Sequence, residues 1–219
     1  MRFPYSPFQF ITFVLILVLL FTLVQIGLVH IAADKLGISL PVALAALFFC
    51  LMCSFINIPL FHIRSLADSP QRIVPVWLLG KPELMQNRIL VAINVGGAIM
   101  PIVFCVYLFS VHQISLGQIF VVTVGVALPS YAISRPIAGL GVALPVFIPP
   151  IIAALLALLL APEQSAPLAY IGGTLGVILG ADILRLKSIQ YLGAPIVSIG
   201  GAGTFDGVFL TGIIAVLLA

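Results

Sequence analysis

Residues 8–29 read FQFITFVLILVLLFTLVQIGLV, without a single charged side chain. An α-helix needs about 20 mostly apolar residues to cross the hydrocarbon layer of a bilayer, and this run supplies them. It is longer than the apolar core of a cleaved leader, about 7–15 residues, and no small-x-small cleavage site precedes Asp34. It therefore reads as a retained membrane anchor.

The remainder of the chain has the same character. Of 219 residues, 63% are hydrophobic and only 7% are charged, too few to solvate a water-facing surface. A soluble domain carries roughly 25% charged residues. Seven apolar stretches are expected to span, at about 8–31, 38–61, 89–111, 115–133, 137–161, 168–186 and 199–219, joined by a cytoplasmic loop at 62–88. The expectation is an all-α, polytopic transmembrane bundle forming one domain over residues 1–219. Pro129, Pro136, Pro145, Pro149 and Pro150 crowd the fourth and fifth stretches and predict kinks or a break there. Within the loop, Val74–Leu79 holds the only tryptophan, Trp77, and reads as an interfacial or re-entrant piece.

Positive charge orients the chain. With the N-terminus inside, Arg2, Arg64, Arg72, Lys81, Arg88, Arg135, Arg185 and Lys187 all fall on the inner side, against Lys35 alone outside. The positive-inside rule then gives N-in and C-out with an odd number of spans. A net charge of +3 built from so few residues excludes a nucleic-acid footprint.

Cys50, Cys53 and Cys105 lie in apolar runs and read as small packing residues, and no metal site or cofactor is expected. The pentapeptide Gly125–Pro129 recurs unchanged as Gly141–Pro145, with a looser copy at Gly37–Pro41, which raises the question of a structural repeat.

A charge inside a span costs about 2.5–3.5 kcal/mol or more at the bilayer centre, so intramembrane carboxylates default to functional candidates. Two occur. Asp182 sits in Gly180-Ala181-Asp182-Ile183-Leu184-Arg185, near the inner end of the sixth stretch. Asp206 sits in Gly200-Gly201-Ala202-Gly203-Thr204-Phe205-Asp206-Gly207, near the inner start of the seventh. Two carboxyls held close cannot both ionise, so they share a proton. One can then activate water while the other protonates a carbonyl, and a proton-coupled carrier would use the same pair differently. Gly172, Gly176 and Gly180 form one small-residue ladder and Gly203, Gly207 and Thr211 another, expected to pack other helices and leave the aspartates beside a cavity. Simpler roles exist for both: an i, i+3 pair of Asp182 with Arg185, and Asp206 in a first helical turn capped by Thr204. Neither G-x-S-x-G nor H-E-x-x-H is present, which removes the serine and zinc hydrolase signatures. Between the aspartates, Ala194–Ile199 is β-branched and carries Pro195, which predicts extended backbone able to pair with a substrate strand.

The run Ser198–Gly212, with Gly180–Leu184 before it, resembles the C-terminal signature of a family of prokaryotic multi-pass membrane proteins, a domain of unknown function. More remotely, the layout is similar to the GxGD intramembrane aspartyl proteases, the presenilin and prepilin-peptidase group. That resemblance implies an aspartic endopeptidase acting on a membrane-embedded peptide, with Asp182 and Asp206 catalytic and Gly180, Arg185, Gly201, Gly203 and Gly207 supporting them. This chain departs from that pattern: Thr204 and Phe205 separate Gly203 from Asp206, no Tyr precedes Asp182, and no Pro-Ala-Leu span follows Asp206. The alternatives are a proton- or cation-coupled carrier using the same carboxylates, or a non-catalytic membrane scaffold. The expected partners are the lipid bilayer and a membrane-embedded peptide, with no nucleic acid.

Overall fold

The computed structural model describes residues 18, 22, 25–66, 72–74, 83–85, 88–137, 141–191, 196–201 and 207–219. In chain order these form helix α1 (Gln25–Lys35), helix α2 (Leu40–Cys53), strands β1 (Asn57–Arg64), β2 (Arg72–Val74), β3 (Glu83–Met85) and β4 (Arg88–Asn94), and helix α3 (Val95–Val111). Helix α4 (Leu116–Ile133), strands β5 (Arg135–Ile137) and β6 (Gly141–Ala143), and helices α5 (Ile148–Leu160) and α6 (Pro162–Ile183) follow. The short helix α7 (Leu186–Ile189), strand β7 (Ile196–Ile199) and helix α8 (Gly207–Leu218) complete the order.

Helix α4 starts at a capping box. The Ser115 hydroxyl accepts the Gln118 amide at 3.2 Å while the Gln118 side chain accepts the Ser115 amide at 2.9 Å, satisfying two donors the helix end leaves free. The Gln118 amide nitrogen also donates to the Leu160 carbonyl, 3.0 Å away, tying the start of α4 to the end of α5. Pro129 stands inside α4, which continues through it to Ile133. The expected break in this stretch is absent. In the next stretch it is present: β6 and a turn occupy residues 141–147, and α5 begins only at Ile148, with proline in its first turn. Proline is accommodated there because a first-turn amide has no partner to lose.

Helices α4 and α6 are long and apolar enough to cross a membrane, and α1 with α2 qualify as a third only if their 113° bend belongs to one broken span. Gly37, at φ 64°, makes that bend in the left-handed region, where a side chain would be strained. At 13 and 12 residues, α5 and α8 fall short of the usual span. Among the described residues the fold is mostly helical rather than all-α, and seven spanning helices are not found. The second and third stretches, 38–61 and 89–111, are each part helix and part strand: β1 and β4 pair antiparallel from Asn57↔Asn94 to Arg64↔Arg88, and β7 joins β4 in parallel from Leu90↔Ile196 to Ile93↔Ile199. Two further hairpins pair β2 with β3 and β5 with β6. A short apolar run such as Ile89–Ile93 carries no periodicity that separates a buried strand from a buried helix. Pro59 lies in β1, an edge strand, beside a register shift between Pro59 and Phe61, where a missing donor is tolerated. In the 62–88 loop the described pieces are strands; Trp77 lies outside the described residues.

The pentapeptide repeat is not structural. Gly125–Pro129 is helix, Gly141–Pro145 is strand and turn, and Gly37–Pro41 is the α1–α2 corner. One apolar string takes three backbone states according to its surroundings.

Polar contacts gather at two ends. At one, Lys35 donates to the Leu217 carbonyl, the His112 ring meets the Leu36 carbonyl and Ser165 donates to the Ala219 carbonyl. At the other, Arg185 binds the end of α4 and the Leu66 amide bonds the Gln190 carbonyl. The sheet, with Arg64 and Arg88 at its rim, belongs to this second end.

Candidate functional site

The seam between α4 and α6 is set by glycine. A Cβ on Gly172 would fall 2.3 Å from Val122, on Gly176 2.6 Å from Val126, and on Gly180 2.2 Å from the Ala127 carbonyl oxygen. The ladder thus packs α4, as its spacing predicted, and Asp182 is left to face elsewhere. On the second ladder, Gly207 lies against Leu144 and Thr211 is buried, while Gly203 lies outside the described residues.

From Ile178 to Ile183 the helix widens into a π-helical turn, and Asp182 sits in it, half-buried. Its carboxylate accepts the Gly200 amide at 2.8 Å. Gly200 and Gly201 follow β7 directly, both at positive φ, 80° and 77°, so the strand turns sharply where glycine alone is unstrained. A second π-helical turn, Val95–Ile99, opens α3 against the same point: a Cβ on Gly97 would lie 2.0 Å from the Gly200 carbonyl oxygen. Such widened turns cost helix regularity and are frequent at functional sites. Here two of them meet at one glycine.

Below the turn lies a buried amide network. The Asn94 side chain accepts the Gly97 amide at 2.6 Å and donates to the Ser54 carbonyl at 2.6 Å and to Asn57 Oδ1 at 3.1 Å. The Ser198 hydroxyl donates to the same Asn57 oxygen at 2.5 Å. The network links α2, β1, β4, α3 and β7, and through the Gly97–Gly200 contact it reaches the turn bonded to Asp182. Asn57, Asn94, Gly97 and Ser198 were not singled out from sequence. The signal was available: two amides inside apolar runs, each requiring a partner once buried.

Arg185 turns to α4. Its guanidinium donates to the Ser134 hydroxyl at 3.0 Å, to the Ser134 carbonyl at 2.7 Å and to the Tyr131 carbonyl, and it stacks over the Tyr131 ring at 4.4 Å. The expected i, i+3 role with Asp182 is thus replaced by a cap on the last carbonyls of α4, where a cation also complements the helix dipole. Arg185→Met should lower stability by about 1–2 kcal/mol, because charge-assisted bonds at a half-exposed site are lost. Arg185→Lys should recover less than half of it, since one ammonium cannot reproduce the fork. Thermal unfolding in detergent reads both, and an Arg185→Met protein as stable as the wild type, or full recovery by Arg185→Lys, would contradict the cap.

Asp206, with Thr204, lies outside the described residues, so the distance between the two aspartates and the capping role of Thr204 do too. Gly207, the next residue, begins α8. No group of three or more His, Cys, Asp or Glu side chains able to hold a metal occurs among the described residues.

A mostly helical chain with, among the described residues, two or three helices long and apolar enough to cross a membrane, and a small sheet whose Gly-Gly turn binds an aspartate, defines the class. A family model described as a protein of unknown function (DUF1614) matches residues 51–218, and the chain belongs to that family. No curated protein and no solved structure matches it.

Proposed function

We propose that this protein is an intramembrane aspartyl protease of GxGD-like layout, or a degenerate relative, in which Asp182 and Asp206 cleave a membrane-embedded peptide. The observation that carries the reading is the bond from the Gly200 amide to the Asp182 carboxylate, 2.8 Å long. It moors the first carboxyl to the loop whose sequence reaches Asp206 six residues later. In the proposed reaction one carboxylate takes a proton from water, and that water attacks the peptide carbonyl. The other, protonated, carboxyl gives its proton to the carbonyl oxygen. As the tetrahedral intermediate collapses, the first carboxyl passes its proton to the leaving amine nitrogen and the second takes back a hydroxyl proton. Strand β7 supports the same reading. It is extended, as Pro195 and its β-branched neighbours predict, and it is one of the two outer strands of the order β1-β4-β7. A substrate strand can be added at such an edge. The arginine-rich end that carries the sheet is read as cytoplasmic, with the N-terminus in and the C-terminus out, in a prokaryotic inner membrane.

The test uses purified protein in liposomes with a fluorogenic single-span peptide. Cleavage is expected from the wild type and should be lost, by at least about a hundredfold, in Asp182→Asn and in Asp206→Asn, each still folded. Cleavage that survives either substitution sinks the dyad. Proton flux abolished by the same substitutions, without any cleavage, would identify the carrier instead.

A further inference from the structure

A cleft of about 500 Å³ opens at the arginine-rich end, between the end of α4 (Ala132, Ile133), the β5–β6 hairpin (Ile137, Ala143) and the approach to α5 (Leu144, Ile148). Its lining is apolar except for Arg135, whose exposed side chain forms part of the wall. Among the described residues the Arg135 guanidinium has no hydrogen bond or ion pair, unlike that of Arg185, which is committed to α4. Ile137 and Ile148 of the lining, and Val146 and Phe147 between its Pro145 and Ile148 in the chain, are all more than a third exposed, Phe147 at 66%. Water does not favour such a rim, and acyl chains do.

Depth fixes what the cation meets. With α4 as a span, its 18 residues cover about 27 Å, close to the roughly 30 Å hydrocarbon thickness. Arg135 follows two residues beyond the last turn, at the level of lipid phosphates. A guanidinium there matches a phosphate with two parallel N–H bonds, while the apolar wall below it accepts a chain. A soluble anion would use the arginine and leave the apolar wall wet. A zwitterionic lipid would offer the same phosphate but bring its own ammonium beside the arginine, so the pair gains less than with an anionic head group.

We propose that this cleft is a binding site for one anionic phospholipid, its phosphate on Arg135 and an acyl chain along Ile137, Leu144 and Ile148. The site stands apart from the protease reading, because neither aspartate takes part. Leu144 couples it to the rest of the fold: its Cδ2 lies 3.5 Å from the Cβ position of Gly207, so the bound chain presses a residue that covers the start of α8.

Native mass spectrometry of the full chain in neutral detergent tests this, with phosphatidylglycerol and phosphatidylcholine of identical acyl chains titrated separately. One phosphatidylglycerol should be retained preferentially. Arg135→Gln should weaken its retention about fivefold and that of phosphatidylcholine clearly less, as expected for one arginine at the membrane surface. Ile137→Trp, at an exposed position, should fill the cleft and remove the preference in a protein that still runs as a monodisperse peak. It keeps the test decisive if Arg135→Gln does not fold. Equal retention of the two lipids, retention unaffected by either variant, or competition by glycerophosphate as strong as by the whole lipid would overturn the site.

Discussion

Gly97→Val should prevent the protein from accumulating as a folded species. A Cβ at this position would stand 2.0 Å from the Gly200 carbonyl oxygen and 3.2 Å from Asn94 Oδ1. Neither neighbour can yield cheaply. The first is backbone, held by the Gly200–Asp182 bond and by a positive-φ turn, and the second is the buried amide that caps α3. Overpacking a flexible core costs about 1–3 kcal/mol. Here relief requires β7 to leave β4 and both bonds to break, so the cost should exceed about 3 kcal/mol, against a total stability of about 5–15 kcal/mol. Gly117→Ala is the control, because a Cβ there meets nothing nearer than Ser115 Oγ at 3.9 Å and alanine favours the first turn of α4. The yield of monodisperse protein and its melting temperature compare the two. A Gly97→Val protein that melts with the wild type would show that the seam is not closed.

Composition made the apolar character of the chain legible, and helices α4 and α6 are long and apolar enough to cross a membrane. The grouping of arginines was legible as well: the end with Arg64, Arg88, Arg135 and Arg185 is the end that carries the sheet, while Lys35 lies at the other, on the Leu217 carbonyl. What could not be read was where an apolar run ceases to be helix. Leu40–Cys53 and Asn57–Arg64 share one hydrophobic stretch, yet the first is helix and the second strand. Their difference is tertiary. Asn57 has Asn94 opposite it, and a segment with a partner 37 residues away satisfies its backbone by pairing. Hydropathy registers burial but not partners.

The candidate site was legible in part, for a related reason. The aspartates stood out because a carboxylate is expensive in lipid, and the Gly172–Gly176–Gly180 spacing correctly implied a close helix seam. Pro195 with its β-branched neighbours implied the extended strand. Arg185 misled because i, i+3 proximity along the chain is only one of the partners a long side chain can choose, and the free carbonyls of Tyr131 and Ser134, with the Ser134 hydroxyl, offered it three bonds. Asn94 was passed over because an amide carries no charge. In lipid its demand for partners is as strict as in any core.

Asn94→Leu should therefore cost more than any change of a single surface charge, about 3–5 kcal/mol. The side chain is 1% exposed and serves three partners: the Gly97 amide, the Ser54 carbonyl and Asn57 Oδ1. Leucine is close to it in size, so the loss is not one of packing. It leaves a helix-end donor, the Gly97 amide, and an acceptor, the Ser54 carbonyl, without their bonds in a site closed to water, at about 1–3 kcal/mol for each that stays unpaired. Asn57 Oδ1 keeps the Ser198 hydroxyl. Asn57→Leu should cost less, about 1–2 kcal/mol, because Ser198 loses an acceptor but Asn94 keeps the Ser54 carbonyl and the Gly97 amide. Each single variant removes the Asn94–Asn57 bond, and the double variant removes it only once, so its cost should fall short of the sum of the two by about 1 kcal/mol. Unfolding in mixed detergent–SDS micelles measures all three proteins. Strict additivity would mean that the two amides do not act on each other. A single Asn94→Leu loss below about 1 kcal/mol would show that Gly97, and with it the turn holding Asp182, does not depend on the network.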